Sequence, residues 1–414
     1  MTQAVESADG AASGGRRPID LPALAVLGTA VGLYGWLMFL MSFHHDGIIG
    51  PRNGAPGTDY MVFWEAVRGA RAGDLTLLAD PVAMTARINA QFRDIIESPV
   101  PLHPWLYPPT FLLALLPFAT LPLRPSYALF MIASWLLVLL AGWRWAGPPG
   151  RRAAWLIALA LAPGASNNVL SGQNAFLTLA LLFGGISLLG RRDIAAGALL
   201  GLLSFKPQLA VLAPVALIAL GNWRALAAAA ASAALAAAAS AAVFGLAPWQ
   251  DWLGRMIING APGDSAWVES GRLWGTSVWT CARLLGAPGW LANAAQGAAA
   301  LLAAGAVWRA FRRPLDPALR LAVLLTAIVF AAPHCSQYDL LLLNASVLLL
   351  LGFVLDGGEL AVRPMLWLLP WYAPLTAVPR VFVLGYAVPL LMLGVILVAL
   401  FPLGPRRRDA ASVV

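Results

Sequence analysis

The side chains able to do chemistry are few, and they fall in five short stretches of a very apolar chain. Thr58-Asp59-Tyr60-Met61-Val62-Phe63-Trp64 comes first, followed at once by Glu65. His103 precedes Tyr107-Pro108-Pro109, and Gln173-Asn174 follows Ser171-Gly172. Lys206-Pro207-Gln208 interrupts an apolar run, and Pro333-His334-Cys335-Ser336-Gln337-Tyr338-Asp339 lies between two late ones. An acid, a lysine, a histidine and amides on one face suit a reaction that expels an anionic group. In such a reaction a carboxylate would take a proton while Lys206 and His334 would stabilise developing phosphate charge. Ionisable groups beside apolar spans are costly unless they are paired or functional.

Each residue also has a plainer reading. Asp59 fits a helix N-cap, and Glu65 offers a second carboxylate that competes with it. His103 fits a bond to nearby backbone. Gln173 and Asn174 fit a helix cap, Asp339 fits a partner for an arginine, and His334 fits a structural place beside its proline. Lys206 stands out by count: it is the single lysine among 27 basic residues. A compact ammonium differs from a planar guanidinium, so this position has its own requirement.

The elements that must hold these residues are membrane spans. The chain has 414 residues, of which 60% are hydrophobic and 11% charged, against roughly 25% charged in soluble domains. The fold class is therefore all-α and polytopic. The net charge of +8 does not indicate nucleic-acid binding, because the arginines cluster between apolar runs as loop anchors do. Cys281 and Cys335 are too few for a disulfide framework and read as packing residues. There is no Cys/His spacing for a metal and no Asp-x-Asp pair, so neither metal nor cofactor is expected.

Residues 1–18 read as a disordered cytoplasmic segment, 19–403 as the transmembrane unit and 404–414 as a cytoplasmic tail. A first helix over 20–43 follows Arg16-Arg17 and stays in place. Spans are expected near 126–146, 153–170, 175–190, 194–221, 223–245, 290–310, 318–333, 339–355, 364–378 and 381–402. With the breaks at Pro163-Gly164 and Lys206-Pro207, that makes about 11–13 transmembrane helices. The run from Tyr107 to Pro122 is short for a span. Two polar segments, about 44–106 and 247–289, read as outer loops, the first with interfacial helices over Met61–Ala72 and Val82–Glu97. The second is rich in tryptophan: Trp249, Trp252, Trp267, Trp274 and Trp279, with Trp290 at its end. Alternating arginine clusters place residues 44–106, 171–174, 247–289 and 332–339 on the outer face, and the chain reads as a multi-pass protein of a cell inner or plasma membrane with its chemical residues facing the non-cytoplasmic side. The chain has no internal repeat, which weakens an inverted-repeat transporter reading.

Several of these motifs resemble glycosyltransferase family 87. The carriers are Thr58-Asp59-Tyr60-x-Val62-Phe63-Trp64-x-Ala66, then Tyr107-Pro108-Pro109-x-x-x-Leu113 with Pro117 and Leu121-Pro122. They continue as Gly172-Gln173-Asn174, Gly197-x-x-x-Gly201 with Lys206-Pro207, and Pro333-His334-x-x-x-Tyr338-Asp339. The resemblance implies a GT-C fold and an inverting transferase that uses a polyprenyl-phosphate sugar, mannose foremost, with a lipid or glycan acceptor. It implies that Asp59 is the general base and that Lys206 and His334 meet the donor phosphate. Glu65, His103, Tyr107, Gln173, Asn174, Gln208, Tyr338 and Asp339 are then candidates for substrate binding. The competing function is a flippase or transporter of a lipid-linked sugar.

Overall fold

A computed structural model describes residues 57–260 and 273–404, apart from 95, 97, 98, 101, 274, 363, 377, 378, 380 and 381, together with Trp36, Phe43–His44 and Gly47–Ile48. The first helix expected over 20–43 apart from Trp36 and Phe43, residues 1–18 and 405–414, Glu97, Trp267 and Trp274 lie outside the described residues. The strands among the described residues are two short antiparallel pairs, Phe43–His44 with Gly47–Ile48 and Glu359–Leu360 with Pro402–Gly404. Everything else regular is helical.

Helices α1 (Thr58–Ala72) and α2 (Pro81–Gln91) build the first polar segment. Asp80 caps α2 through the Val82 and Ala83 amides, and Pro81 sits at its first position, where no donor is needed. The stretch after Tyr107 forms only α3 (Thr110–Leu115) and one 3₁₀ turn, Leu116–Phe118. Six α-helical residues rise about 9 Å, far short of a hydrocarbon core of about 30 Å, so α3 does not cross.

The apolar helices follow: α4 (Leu123–Gly142), α5 (Pro149–Ala160), α6 (Pro163–Ser171), α7 (Ala175–Leu188) and α8 (Asp193–Gly201). Next come α9 (Leu212–Ala219), α10 (Trp223–Phe244), α11 (Ala247–Gly260), α12 (Val278–Leu284) and α13 (Gly289–Arg312). The last are α14 (Pro317–Ala331), α15 (Leu341–Leu355), α16 (Pro364–Leu368) and α17 (Val388–Leu400). Five helical stretches among the described residues are long and apolar enough to cross a membrane, and a sixth if α5 and α6 form one span bent by 43°. Pro163 makes that bend, since its ring cannot continue the α5 ladder. The chain is thus an all-α polytopic membrane protein. Residues 364–378, read as a span, instead give five residues of helix and a 3₁₀ segment, Leu369–Leu375, containing Pro370 and Pro374. Two prolines in seven residues remove the donors a regular helix needs there.

Burial is uneven. In the stretch Gln337–Leu355, which holds α15, 72% of the most apolar window is buried, against 6% in α10. So α15 is a central post, and α10 is held by one edge. That edge is Gly197 and Gly201 of α8: a Cβ on either would overlap a backbone carbonyl oxygen of α10, at Ala225 and Ala229. Small residues let two backbones touch where lipid supplies no hydrophobic drive. The helix ends sort into two poles. At one, Arg151 pairs with Asp356, Asp193 accepts from Asn222 and the Gly190 amide, and the Glu359–Leu360 pair closes on Pro402–Gly404. The five chemical stretches of the sequence occupy the other.

Candidate active site

The site is assembled on one tight turn. Helix α6 ends at Gly172, whose φ of +74° is open to glycine and awkward for other residues. A Cβ there would lie 2.7 Å from Tyr60 Cβ and 2.9 Å from Gly57 Cα. The close approach lets the Gly57 amide donate to Leu170 O at 2.7 Å, which docks the start of α1 against the end of α6. Buried Asn168 holds the turn from inside: its backbone carbonyl accepts from the Gly172 and Gln173 amides, and its Oδ1 accepts from the Ala175 amide at 2.8 Å. The N-caps of α1 and α7 are Gly57 and Asn174, neither with a side-chain cap bond. Asp59, Gln173 and Asn174 are therefore released from capping.

On one side of the turn lies Asp59. Its Oδ2 accepts from Gln173 Nε2 at 2.8 Å, and its Oδ1 is 3.2 Å from His103 Nε2. The Tyr107 hydroxyl donates to Gln173 Oε1 at 2.8 Å, so the amide must present its nitrogen to the carboxylate. Asp59 keeps 26% of its side chain exposed and His103 keeps 20%, so the acid is reachable. His103 is held there by α2. Thr85 Oγ1 accepts the His103 amide at 2.9 Å, and the Asn89 side chain makes both a donor and an acceptor bond to the Val100 backbone. Helix α2 is itself tied to α1 by Arg87 and Glu65, 2.5 Å apart. Glu65 is thus a buried strut between two helices, its carboxylate engaged by Arg87.

On the other side lies Lys206. Its backbone leaves the helical region at φ −134°, ψ 70°, because Pro207 disfavours a helical residue before it. The ammonium donates to Asp339 Oδ1 at 2.6 Å and to Asn174 Oδ1 at 3.2 Å, and the Tyr338 ring centroid is 5.1 Å away. Lys206 and Asp339 are 3% and 2% exposed. Asp339 Oδ2 accepts the Ser336 amide at 3.2 Å in a capping box that rigidifies the Gln337–Leu340 turn. That turn is brought to α6 by Gly164, where a Cβ would sit 2.6 Å from Leu341 backbone, and whose amide donates to Asn344 Oδ1. Asp339 therefore meets the lysine instead of an arginine.

An aromatic wall joins the two sides. Phe63 of α1 packs on Tyr107 at 5.3 Å, Tyr107 on Phe111 at 4.7 Å, and Phe111 stacks on Phe205 at 5.2 Å, next to Lys206. Such pairs contribute about 0.5–1.5 kcal/mol each beyond burial. Burial pushes the Tyr107 hydroxyl up to about 12, Lys206 opposing and Asp339 and Asp59 reinforcing. Tyr107 is therefore a neutral donor at physiological pH, standing between the acid and the cation.

The structure brings Asp59, His103, Tyr107, Gln173, Asn174, Lys206, Tyr338 and Asp339 together. His334 is half-buried in the loop just ahead of the Gln337–Leu340 turn. That loop is fastened at Cys335 O, which accepts the Thr276 amide at 2.9 Å. Gln208 is half-buried and makes no side-chain hydrogen bond among the described residues. Sequence reasoning missed Asn168, Asn89 and Thr85, which touch backbone and carry no motif. Their only sequence mark is a polar side chain at a position the helix buries, for Asn168 and Thr85, or half-buries, for Asn89.

The family model of glycosyltransferase family 87 matches residues 105–336, more than half of the chain. The match takes in Tyr107, Gln173, Asn174, Lys206, Gln208 and His334, and Asp59, Glu65 and His103 precede it. No curated protein matches the chain, and no solved structure does.

Proposed function

The chain belongs to glycosyltransferase family 87, and we propose that it moves a hexose, mannose foremost, from a polyprenyl-phosphate donor to a lipid or glycan acceptor on the non-cytoplasmic side of a cell membrane. Asp59 takes the proton of the acceptor hydroxyl. The hydroxyl oxygen forms a bond to the anomeric carbon from the face opposite the phosphate, and the carbon–oxygen bond to phosphate breaks with inversion. The electron pair leaves with polyprenyl phosphate, toward Lys206 and His334. Gln173 and Tyr107 fix the carboxylate in one orientation, so no rotation is needed at the moment of proton transfer.

The observation that carries this reading is the pairing across one turn of a reachable carboxylate, Asp59, and a buried ammonium, Lys206. A base and an anion-stabilising cation are what transfer from a phosphate leaving group requires. Family membership favours group transfer over a flippase, which has no use for a base.

The test is a reconstituted assay with purified protein, polyprenyl-phosphate-mannose and a lipid extract of the source membrane, run in EDTA. A glycosylated product is expected, and Asp59→Asn should lower its rate roughly 10²–10⁴-fold. A folded Asp59→Asn protein with ordinary turnover would remove Asp59 from the base role. Translocation of labelled donor without chemistry would put the flippase in place of the transferase.

A further inference from the structure

The cation assigned to the donor phosphate is already neutralised. Lys206 donates to Asp339 at 2.6 Å with both side chains almost wholly buried, and Asn174 takes a second N–H. A phosphate entering beside a neutral pair brings a charge that no unengaged cation of that pair meets, and Asp59 adds a further negative charge across Tyr107. In a region of low dielectric an uncompensated charge is costly. The ammonium must therefore change partner when the donor binds.

The two halves of the pair are not equally able to move. The Asp339 carboxylate is pinned by the Ser336 amide, which it accepts at 3.2 Å in the capping box. The ammonium stands on a flexible four-carbon stem with three rotatable donors. On this basis, and resting on the transferase reading above, we infer that Asp339 is a place-holding counter-ion: donor phosphate takes Lys206 from it, and Asp339 takes Lys206 back after transfer and so drives polyprenyl phosphate out. No bond is made or broken in this exchange. Asp339 is then a positioning residue that sets affinity for the phosphate group and the rate of its release.

The chain offers a direct reporter, because Lys206 is its single lysine. Lysine labelled with ¹³C at Cε gives one side-chain resonance, free of assignment. Full-length wild-type protein is titrated with farnesyl phosphate, a short isoprenyl phosphate, while binding is measured independently by calorimetry. The Lys206 resonance is expected to shift along the same saturation curve. In Asp339→Asn the affinity for farnesyl phosphate is expected to rise, within the roughly 5–150-fold range of site-to-site couplings. Its thermal midpoint should also gain more from the ligand than the wild-type midpoint does, since phosphate then meets an unpaired ammonium.

Equal or weaker binding by folded Asp339→Asn, with the wild-type Lys206 resonance still moving, would overturn the counter-ion role and leave Lys206 as the phosphate ligand. Saturation of wild-type protein without any movement of that resonance would overturn both, because the phosphate would then bind elsewhere. The wild-type titration needs no variant, so a misfolded Asp339→Asn protein does not decide the matter. A static Lys206 resonance sinks the exchange by itself.

Discussion

Lys206 and Asp339 form a pair whose energetics are asymmetric. Taking two charges out of water costs nearly what their attraction returns, but removing one partner leaves a buried charge with nothing to meet it. Lys206→Met is therefore expected to destabilise the protein by about 3–5 kcal/mol, read as a lowered thermal midpoint in detergent. The double variant Lys206→Met/Asp339→Leu should regain most of that stability while staying inactive. Recovery of stability without activity separates the phosphate role of Lys206 from its structural one. If the double variant is no more stable than Lys206→Met, the loss lies in packing and not in charge. The lone lysine was legible in the sequence because it is rare. Its partner, 133 residues along the chain, was not, since nothing local marks which acid a fold will bring to a cation. Asp59 shows the same limit. Its place at the start of a helix fitted a cap, but Gly57 takes the cap position and the carboxylate turns to Gln173, 114 residues distant.

Elements position these residues through contacts that admit no side chain. Gly197 and Gly201 let α8 and α10 touch backbone to backbone, and α8 leads directly into the 3₁₀ turn Leu202–Phe205 and Lys206. Gly197→Leu is expected to force the helices apart, at a cost of about 1–3 kcal/mol or more. Lys206 should lose its register in the same step, so activity falls further than stability alone explains. The check is a thermal midpoint and a turnover measured on the same preparation. An active, fully stable Gly197→Leu protein would show that α10 is not needed to hold the lysine. At this scale the sequence was most informative. The Lys-Pro break and the Pro163-Gly164 bend carry their own chemistry and appear where expected, while the Gly-x-x-x-Gly spacing, read in the sequence only as a family motif, is the α8–α10 contact. The failure was 364–378, where hydropathy alone favoured a span although Pro370 and Pro374 stood against a regular helix. The struts of α2 were also illegible. Glu65–Arg87 and Asn89–Val100 are pairings between elements, and no periodicity within one helix encodes them.

For the whole molecule, the two poles make orientation testable. Arginine clusters lie at the pole opposite the site, including Arg151, Arg191 and Arg192, and the orientation proposed above, which follows the positive-inside rule, would put that pole in the cytoplasm. Both native cysteines are free and buried, so an introduced thiol on the surface stands out. Asp74→Cys, on the exposed connection after α1, is expected to react with a membrane-impermeant maleimide in intact cells. Arg191→Cys should react only after permeabilisation. The reverse pattern would place the site on the cytoplasmic side and require a donor made available there. Hydropathy and charge made the all-α membrane class legible. Counting crossings put residues 44–106, 171–174, 247–289 and 332–339 on one side only on the condition that the Tyr107–Pro122 run does not cross, and α3 in that run is six residues long.

The long spacings within the site also set a clock. Asp59 leaves the ribosome far ahead of Asp339, and at roughly 5–20 residues per second the 280 residues between them take about 14–56 s to make. The acid half can close once Gln173 is in place. From its own synthesis until Asp339 follows 133 residues later, Lys206 has no counter-ion, so a nascent chain inserted as far as α14 carries a buried charge in search of a partner. Quality-control machinery in the membrane that senses such exposed or unpaired charge has its longest opportunity to act on this protein just before the Gln337–Leu340 turn arrives, and a chain stalled there is the one it should remove.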